Sequence, residues 1–230
     1  MLEFSFFNDY DIIEDTPPGY ICKGNDFDSF FIETGNRKNI KILKKVNITE
    51  YSKNDYGYLV SNLNNKIQIN CKVLVVANGA NSRFSSLNVG NKKKPLHHAS
   101  AVKSYYSVIK ELHGYNFAEF FFLDKTVHGD LWIFPIGNGL ANIGLGIRND
   151  FIAKKKINLI YLFFEIIDSH PKVKDRFFNI KLEGKVEGHH ILIGSHRCKI
   201  SDKNVILVDD SAHLIDPLKG GRLGYAIFNG

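Results

Sequence analysis

The sequence predicts an α/β protein in which one α/β unit is split into two segments and an antiparallel, β-rich insertion lies between them. Three observations carry this reading. Apolar runs at Lys72–Ala77 and Val205–Val208 each end in small and polar residues, the pattern of a buried strand that delivers a turn. Between them, Ala99–Ile109, Ala118–Leu123, Leu131–Pro135 and Ala141–Ile147 are rich in β-branched and aromatic residues, as in an antiparallel sheet. After Asn149-Asp150, a helix over Lys155–Ser169 is predicted, with Ile157, Ile160, Tyr161, Phe164 and Ile167 at helical spacing.

The remaining elements follow in order. Strands are expected around Leu2–Phe7 and Tyr20–Cys22, joined through Pro17-Pro18-Gly19. Asn25 or Asp26 can cap a helix over Phe27–Thr34, with Phe27, Phe30 and Phe31 on one face. Strands are then expected at Ile40–Leu43, Val46–Ser52, Tyr58–Asn62 and Lys66–Asn70, with hairpin signals at Asn54-Asp55 and Asn64-Asn65. His170-Pro171 ends the long helix, because the residue before proline avoids the helical region. The chain returns through Ile191–Ile200 to its final strand. Two domains are expected, residues 23–96 with 201–230 and residues 1–22 with 97–200.

With 230 residues, 44% hydrophobic and 23% charged, the chain has ample material for a core and an ordinary globular composition. Net charge is +6, but the 30 basic residues are dispersed. The clusters Lys92-Lys93-Lys94 and Lys154-Lys155-Lys156 are short and lack interleaved aromatics, which argues for a solvated surface and against nucleic acid. Attraction to anionic lipid or an acidic redox partner is the alternative that this charge leaves open. Cys22, Cys71 and Cys198 form no CxxC pair, and a reduced, cytoplasmic location is the economical reading. The pairs His97-His98 and His189-His190 point to opposite faces on strands, so no metal site is expected. No apolar run reaches spanning length, and MLEFSFFNDYD has no basic segment ahead of an apolar one. Elbow, phosphate-loop and zinc-protease motifs are absent from the sequence.

Three segments carry chemistry. Lys72–Leu87, KVLVVANGANSRFSSL, runs a strand into Asn78-Gly79, where glycine permits close backbone approach and Asn81, Ser82 and Arg83 offer donors. It also reads as a plain strand–turn–helix corner. Leu131–Gly146, LWIFPIGNGLANIGLG, puts Trp132 and Phe134 on one face of a strand. Taken alone it reads better as an ordinary β core with aromatic filler. Asn204–Gly230, NVILVDDSAHLIDPLKGGRLGYAIFNG, delivers Asp209-Asp210 to the carboxyl end of a strand, where open α/β sheets bind their ligands.

Together these segments resemble the geranylgeranyl reductase family of FAD-dependent oxidoreductases. The first resembles the Gly-Ala-Asp-Gly motif of p-hydroxybenzoate-hydroxylase-like flavoproteins, with Val76 at the first glycine and Asn78 at the aspartate. The second resembles that family's Tyr-x-Trp-x-Phe-Pro pattern followed by Gly-x-Gly; Trp132, Phe134, Pro135, Gly144 and Gly146 match and Asp130 replaces the tyrosine. The third resembles Val-Gly-Asp-Ala-Ala-Gly followed by Asp-Pro-x-x-Gly-Glu-Gly. Asp210, Ala212, Asp216, Pro217 and Gly220 match, while Asp209 and Arg222 stand at glycines. The family's opening GxGxxG unit does not occur in the sequence. The resemblance therefore implies an incomplete Rossmann-like FAD-binding domain, with an antiparallel-sheet substrate domain inserted.

It further implies FAD as cofactor, held near Asn78, Gly79, Arg83, Asp210, Pro217 and Gly220, and an isoprenoid lipid held near Tyr105, Trp132 and Phe134. The implied reaction is reduction of isoprenoid carbon–carbon double bonds, with electrons from a donor such as NAD(P)H or ferredoxin and with peripheral membrane contact. The proton donor stays unassigned. The alternatives are a flavin monooxygenase or halogenase on the same scaffold, and a non-catalytic lipid-binding or decayed fragment.

Overall fold

Period-two alternation organises the larger sheet. In the strand β10 (Leu140–Arg148), Ala141, Ile143, Leu145 and Ile147 are 0% exposed. Its neighbour β9 (Gly129–Gly137) turns Leu131 and Ile133 to the same core. Around this pair lie β1 (Leu2–Phe6), β2 (Asp9–Ile13), β7 (His98–Ser107), β8 (Ala118–Phe122) and β11 (Lys181–Leu192), in the order β11-β7-β10-β9-β8-β1-β2. The pairs β7–β10, β10–β9, β9–β8 and β1–β2 are antiparallel, and β1 joins β8 in parallel.

The computed structural model describes residues 2–6, 9–13, 21–35, 40–64, 66–112, 115–123, 128–171 and 173–216. The chain divides into two units, Met1–Phe31 with His98–His190 and Ile32–His97 with Ile191–Gly230.

In the first unit, a helix covers the buried face of the sheet. α3 (Leu159–Ser169) packs Leu162, Phe163, Ile166 and Ile167 against Val102, Tyr106, Ile133 and Ile143. Of the expected Lys155–Ser169 helix only Leu159–Ser169 forms one continuous helix, and a separate helix precedes it. α2 (Asn149–Lys155) ends where Lys156 turns left-handed at φ 53°. Asn158 then starts α3 by accepting the Tyr161 backbone N–H at 3.1 Å through Oδ1. This restart places the buried stripe at Leu162, Phe163, Ile166 and Ile167. Of the expected stripe only Ile157 and Ile167 pack inward, and Ile160, Tyr161 and Phe164 are exposed.

A second correction concerns the N-terminus. The partner of β1 is Asp9–Ile13 and not Tyr20–Cys22, because a short connection lets adjacent apolar segments pair antiparallel. Ile21 and Cys22 belong to no strand, and Pro17-Pro18-Gly19 lies outside the described residues. α1 spans Gly24–Gly35, and its Phe30 and Phe31 are exposed.

The second unit holds two three-stranded sheets. The strands β3 (Glu50–Lys53), β4 (Tyr58–Ser61) and β5 (Gln68–Cys71) form an antiparallel meander. Its first hairpin is set by Asn54, whose Oδ1 accepts the backbone N–H groups of Tyr56 and Gly57 at 3.0 and 2.8 Å. β6 (Leu74–Val76) pairs in parallel with β13 (Val205–Leu207), and β12 (Ser201–Asp202) adds antiparallel to β13. Tyr58, Val60, Val76, Phe84, Val205 and Leu207 form the core. Ile40–Leu43 forms no strand, and Ile191–Ile200 contributes only the end of β11 and an isolated bridge from Ile193 to Ile215.

One buried ion pair stands out in the first unit. Arg176 donates from Nη1 and Nη2 to the two carboxylate oxygens of Glu119, at 2.6 and 2.7 Å, and both residues are buried. Removing one partner leaves an uncompensated buried charge. Arg176→Met is expected to cost about 3–5 kcal/mol in urea unfolding, and combining it with Glu119→Gln is expected to recover much of that loss.

Candidate functional site

Residues directly opposite on antiparallel strands share a face, so the face of the sheet turned away from α3 can be read row by row. Phe134, Asn142 and Tyr105 form one row, and Phe120, Trp132, Gly144 and Lys103 the next. Asp130, Gly146 and Ala101 form a third. The three sequence-predicted substrate residues Tyr105, Trp132 and Phe134 therefore lie together on one face. All three are part-buried.

Trp132 is held there by the strand beside it. Its indole lies across β10, where a Cβ added at Gly144 would fall 2.0 Å from the ring and one at Gly146 3.5 Å from it. The Gly-x-Gly spacing is thus the floor on which the indole rests. The Nε1–H donates to Asn142 Oδ1 at 2.8 Å, which fixes the ring along the strand. Phe134 stacks on Trp132 with centroids 6.1 Å apart, and Phe120 meets Phe134 edge-on at 5.2 Å. The Tyr105 hydroxyl accepts the Gly24 backbone N–H at 3.4 Å. The surface is aromatic and rigid, with few polar handles.

Asp130 is one of those handles, and burial pushes its carboxyl up to about 6. In the sequence Asp130 marks only a departure from a motif. Its place beside Trp132, across from Gly146, comes from the register of β9 and β10.

The sequence-predicted cofactor residues gather elsewhere, in the second unit. Asn78 and Gly79 follow β6, and Asp210 follows β13, so they sit at the carboxyl ends of two adjacent parallel strands. Gly79 adopts φ +76°, and a Cβ added there would meet nothing within 4 Å. Asn78 and Arg83 are exposed, whereas Asp210 is buried in a 3-10 turn over Asp209–Ala212. The Ser211 hydroxyl lies 2.6 Å from both the Val76 and the Val208 carbonyl oxygens and ties that turn to β6. Open, left-handed backbone at Gly79 beside exposed Asn78, where parallel strands end, suits an anionic nucleotide-type ligand such as FAD. Pro217 and Gly220 lie outside the described residues.

One cluster has no counterpart among the sequence-predicted sites. Cys198 Sγ lies 3.3 Å from His196 Nε2 and 3.4 Å from His213 Nδ1. Burial and the neighbouring charges of His196 and Lys93 hold the His213 imidazole down to about 4. Burial raises the Cys198 thiol. The expectation of no metal rested on cysteine spacing and on the adjacent histidine pairs, and this cluster draws on neither pair.

With that geometry in place, similarity to known proteins decides the relationship. A digeranylgeranylglycerophospholipid reductase of Methanococcus vannielii is 28% identical over 212 residues, covering 91% of this chain and 52% of that protein. A second from Methanosphaera stadtmanae is 28% identical over 232 residues, covering 98% of this chain and 56% of the relative. The chain is a homologue of the geranylgeranyl reductases. It spans about half the length of these curated relatives. No family model matches the chain. The crystal structure of a geranylgeranyl bacteriochlorophyll reductase-like protein from Thermoplasma acidophilum superposes with a TM-score of 0.83 at 19% identity, over 99% of this chain and 58% of that one. A flavin-dependent brominase gives a TM-score of 0.78, also at 19% identity, over 99% of this chain and 58% of its own. The structural likeness to both is one of fold.

The aromatic face can be tested at two positions. Gly144→Ala has to push the indole off β10, and since Trp132 is the chain's single tryptophan, its fluorescence emission is expected to shift while far-ultraviolet dichroism is kept. For Asp130, the folded chain holds the proton more tightly than the unfolded one. Its contribution to stability is complete below the ordinary carboxylate value and is lost as pH rises through about 6. Asp130→Asn is therefore expected to gain about 1–3 kcal/mol at pH 8 and nothing at pH 3, read from urea unfolding at both pH values.

Proposed function

We propose that this chain serves flavin-dependent reduction of isoprenoid carbon–carbon double bonds. The observation that carries the reading is the aromatic face, with Trp132 laid over Gly144 and Gly146 beside Phe134 and Tyr105. Such a surface takes an apolar, unsaturated chain by burying it against rings already in place, with little ordering cost. The homologous reductases carry the name of a digeranylgeranyl lipid, which matches that chemistry.

In this reading residues 23–96 with 201–230 form part of the FAD-binding domain, and residues 1–22 with 97–200 form the substrate domain. Asn78, Gly79, Arg83, Asp210, Pro217 and Gly220 hold the cofactor. When bound, FAD supplies the hydride chemistry that the protein side chains lack. Tyr105, Trp132 and Phe134 orient the isoprenoid and exclude water from it. Asp130, on the same face and with its carboxyl pushed up to about 6, keeps at neutral pH a protonated fraction that an ordinary carboxylate lacks, and supplies that proton to the carbon left electron-rich after reduction. Electrons come from a donor such as NAD(P)H or ferredoxin. The lipid substrate implies contact with a membrane surface; no helix among the described residues is long and apolar enough to cross one.

The test is a titration of the purified chain with FAD, followed by chemically reduced FAD and a digeranylgeranyl phospholipid under nitrogen, with products weighed by mass spectrometry. The expected result is FAD binding and lipid gaining hydrogen in pairs. Asp130→Asn is expected to lower that yield about 10²-fold or more without changing FAD affinity. Halide incorporation that requires oxygen, with no hydrogen gain, would replace this reading by the halogenase one. A folded chain that binds neither FAD nor lipid would end it.

A further inference from the structure

We propose that His196, Cys198 and His213 form a three-ligand site for a borderline-soft divalent metal ion of the zinc class, with a fourth position left open.

The donor set comes first. The three ligand atoms lie within 4.8 Å of one another, with the Cys198 sulfur between the two imidazoles at 3.3 and 3.4 Å. A tetrahedral zinc ion with bonds of about 2.3 Å to sulfur and about 2.0 Å to nitrogen separates those atoms by roughly 3.6 Å, so both sulfur–nitrogen edges are already within a few tenths of an ångström. The nitrogen–nitrogen edge has to close further. His196 lies on a loop and is part-buried, so its ring can make that movement, whereas His213 is 3% exposed.

The site is also built from behind. Gly194 donates its N–H to the Ile215 carbonyl at 2.8 Å, and a Cβ there would crowd the carbonyl oxygens of Ile215 and His213 at 3.1 and 3.3 Å. That approach brings the Ser195–Cys198 loop against the segment carrying His213. Asn91, also buried, accepts the Lys199 N–H at 3.1 Å and donates to the Lys199 carbonyl at 2.8 Å and to Ser85 Oγ at 3.2 Å. Ser85 in turn donates to the Ser211 carbonyl at 2.8 Å. One chain of hydrogen bonds thus joins the residue after Cys198 to the residue two before His213. His97 packs its ring 4.3 Å from that of His196 and is held by Ser195 Oγ at 2.7 Å. Supporting shells of this sort orient metal ligands. His213 holds a left-handed φ of +58°, a conformation that non-glycine residues keep where surrounding structure over-determines it.

The charges are mixed. Lys93 and Lys94 act on the two imidazoles and oppose a cation, although the Lys93 ammonium is engaged by Asn81 Oδ1 at 2.6 Å. Cys198 carries its proton without a metal, because burial raises the thiol. Binding therefore converts the thiol to a thiolate on the metal and releases one proton to buffer per ion.

The experiment titrates the purified, untagged 230-residue chain with Co²⁺ and follows the absorbance of the ion, with Zn²⁺ as competitor. One equivalent is expected to bind, with a near-ultraviolet sulfur-to-cobalt charge-transfer band that zinc abolishes and with release of one proton. Cys198→Ser is expected to lose the band, and Cys71→Ser to keep it. His213→Asn, chosen because asparagine tolerates a left-handed backbone, is expected to weaken binding about 100-fold or more. Asn91→Ala, which leaves all three ligands in place, is expected to weaken it about 10–100-fold. Since a ligand variant can fail to fold, the unfolding temperature of the unaltered chain is read with and without Zn²⁺, and a rise is expected. No cobalt binding by the folded, unaltered chain overturns the proposal, as does a band that survives in folded Cys198→Ser.

Discussion

The aromatic face depends on the complete burial of one side of β10. Ala141, Ile143, Leu145 and Ile147 are each 0% exposed, packed with β9 and α3 into a single core. Because strand side chains alternate, a slip by one residue would turn that whole set outward. The register is therefore held by apolar area, at about 25 cal/mol for each Å² removed from water. What this register leaves on the opposite side is Asn142, Gly144 and Gly146. Two missing side chains and one amide are what an indole lying across the strand requires. The geometry of the aromatic face is a by-product of core packing one residue away.

The second unit rests on a different device. Two short parallel strands, β6 and β13, offer little area, and their ends are joined by single hydrogen bonds. Ser211 reaches the carbonyl oxygens of Val76 and Val208, and Asn91 links Lys199 to Ser85 and through it to Ser211. Ser211, Ser85 and Asn91 are buried polar groups, and most of their partners are backbone atoms far away in sequence. Such bonds contribute modestly when made and cost more when left unmade, so they specify position more than they add stability. They bring Asn78 and Gly79 near the start of the Asp209–Ala212 turn. They also bring His213 to the loop that carries Cys198.

Much of the first unit was legible in the sequence. The alternation in the strands that became β7, β9 and β10 survives almost residue for residue, and Trp132 and Phe134 share a face as period two requires. The breaks came where local and tertiary terms compete. Nothing in the periodicity between Lys155 and Ser169 reveals that Lys156 leaves the helical region and Asn158 starts a new helix, because both restart and continuation satisfy the spacing. Ile160, Tyr161 and Phe164 keep helical spacing yet face solvent, while Leu162, Phe163, Ile166 and Ile167 take the core side. Asp130 shows the same limit in chemical form. Its identity was plain, but a raised carboxyl depends on what surrounds it, and that is decided by neighbours on another strand.

The class of fold, the order of most strands, the aromatic face and the kinship to the geranylgeranyl reductases were all present in the linear chain, since each is written in local pattern or in motif spacing. Three features needed the folded molecule: which side of α3 is buried, the elevated carboxyl of Asp130, and the meeting of His196 and Cys198 with His213. These rest on contacts between residues distant along the chain, and a one-dimensional pattern carries no term for the distance between them.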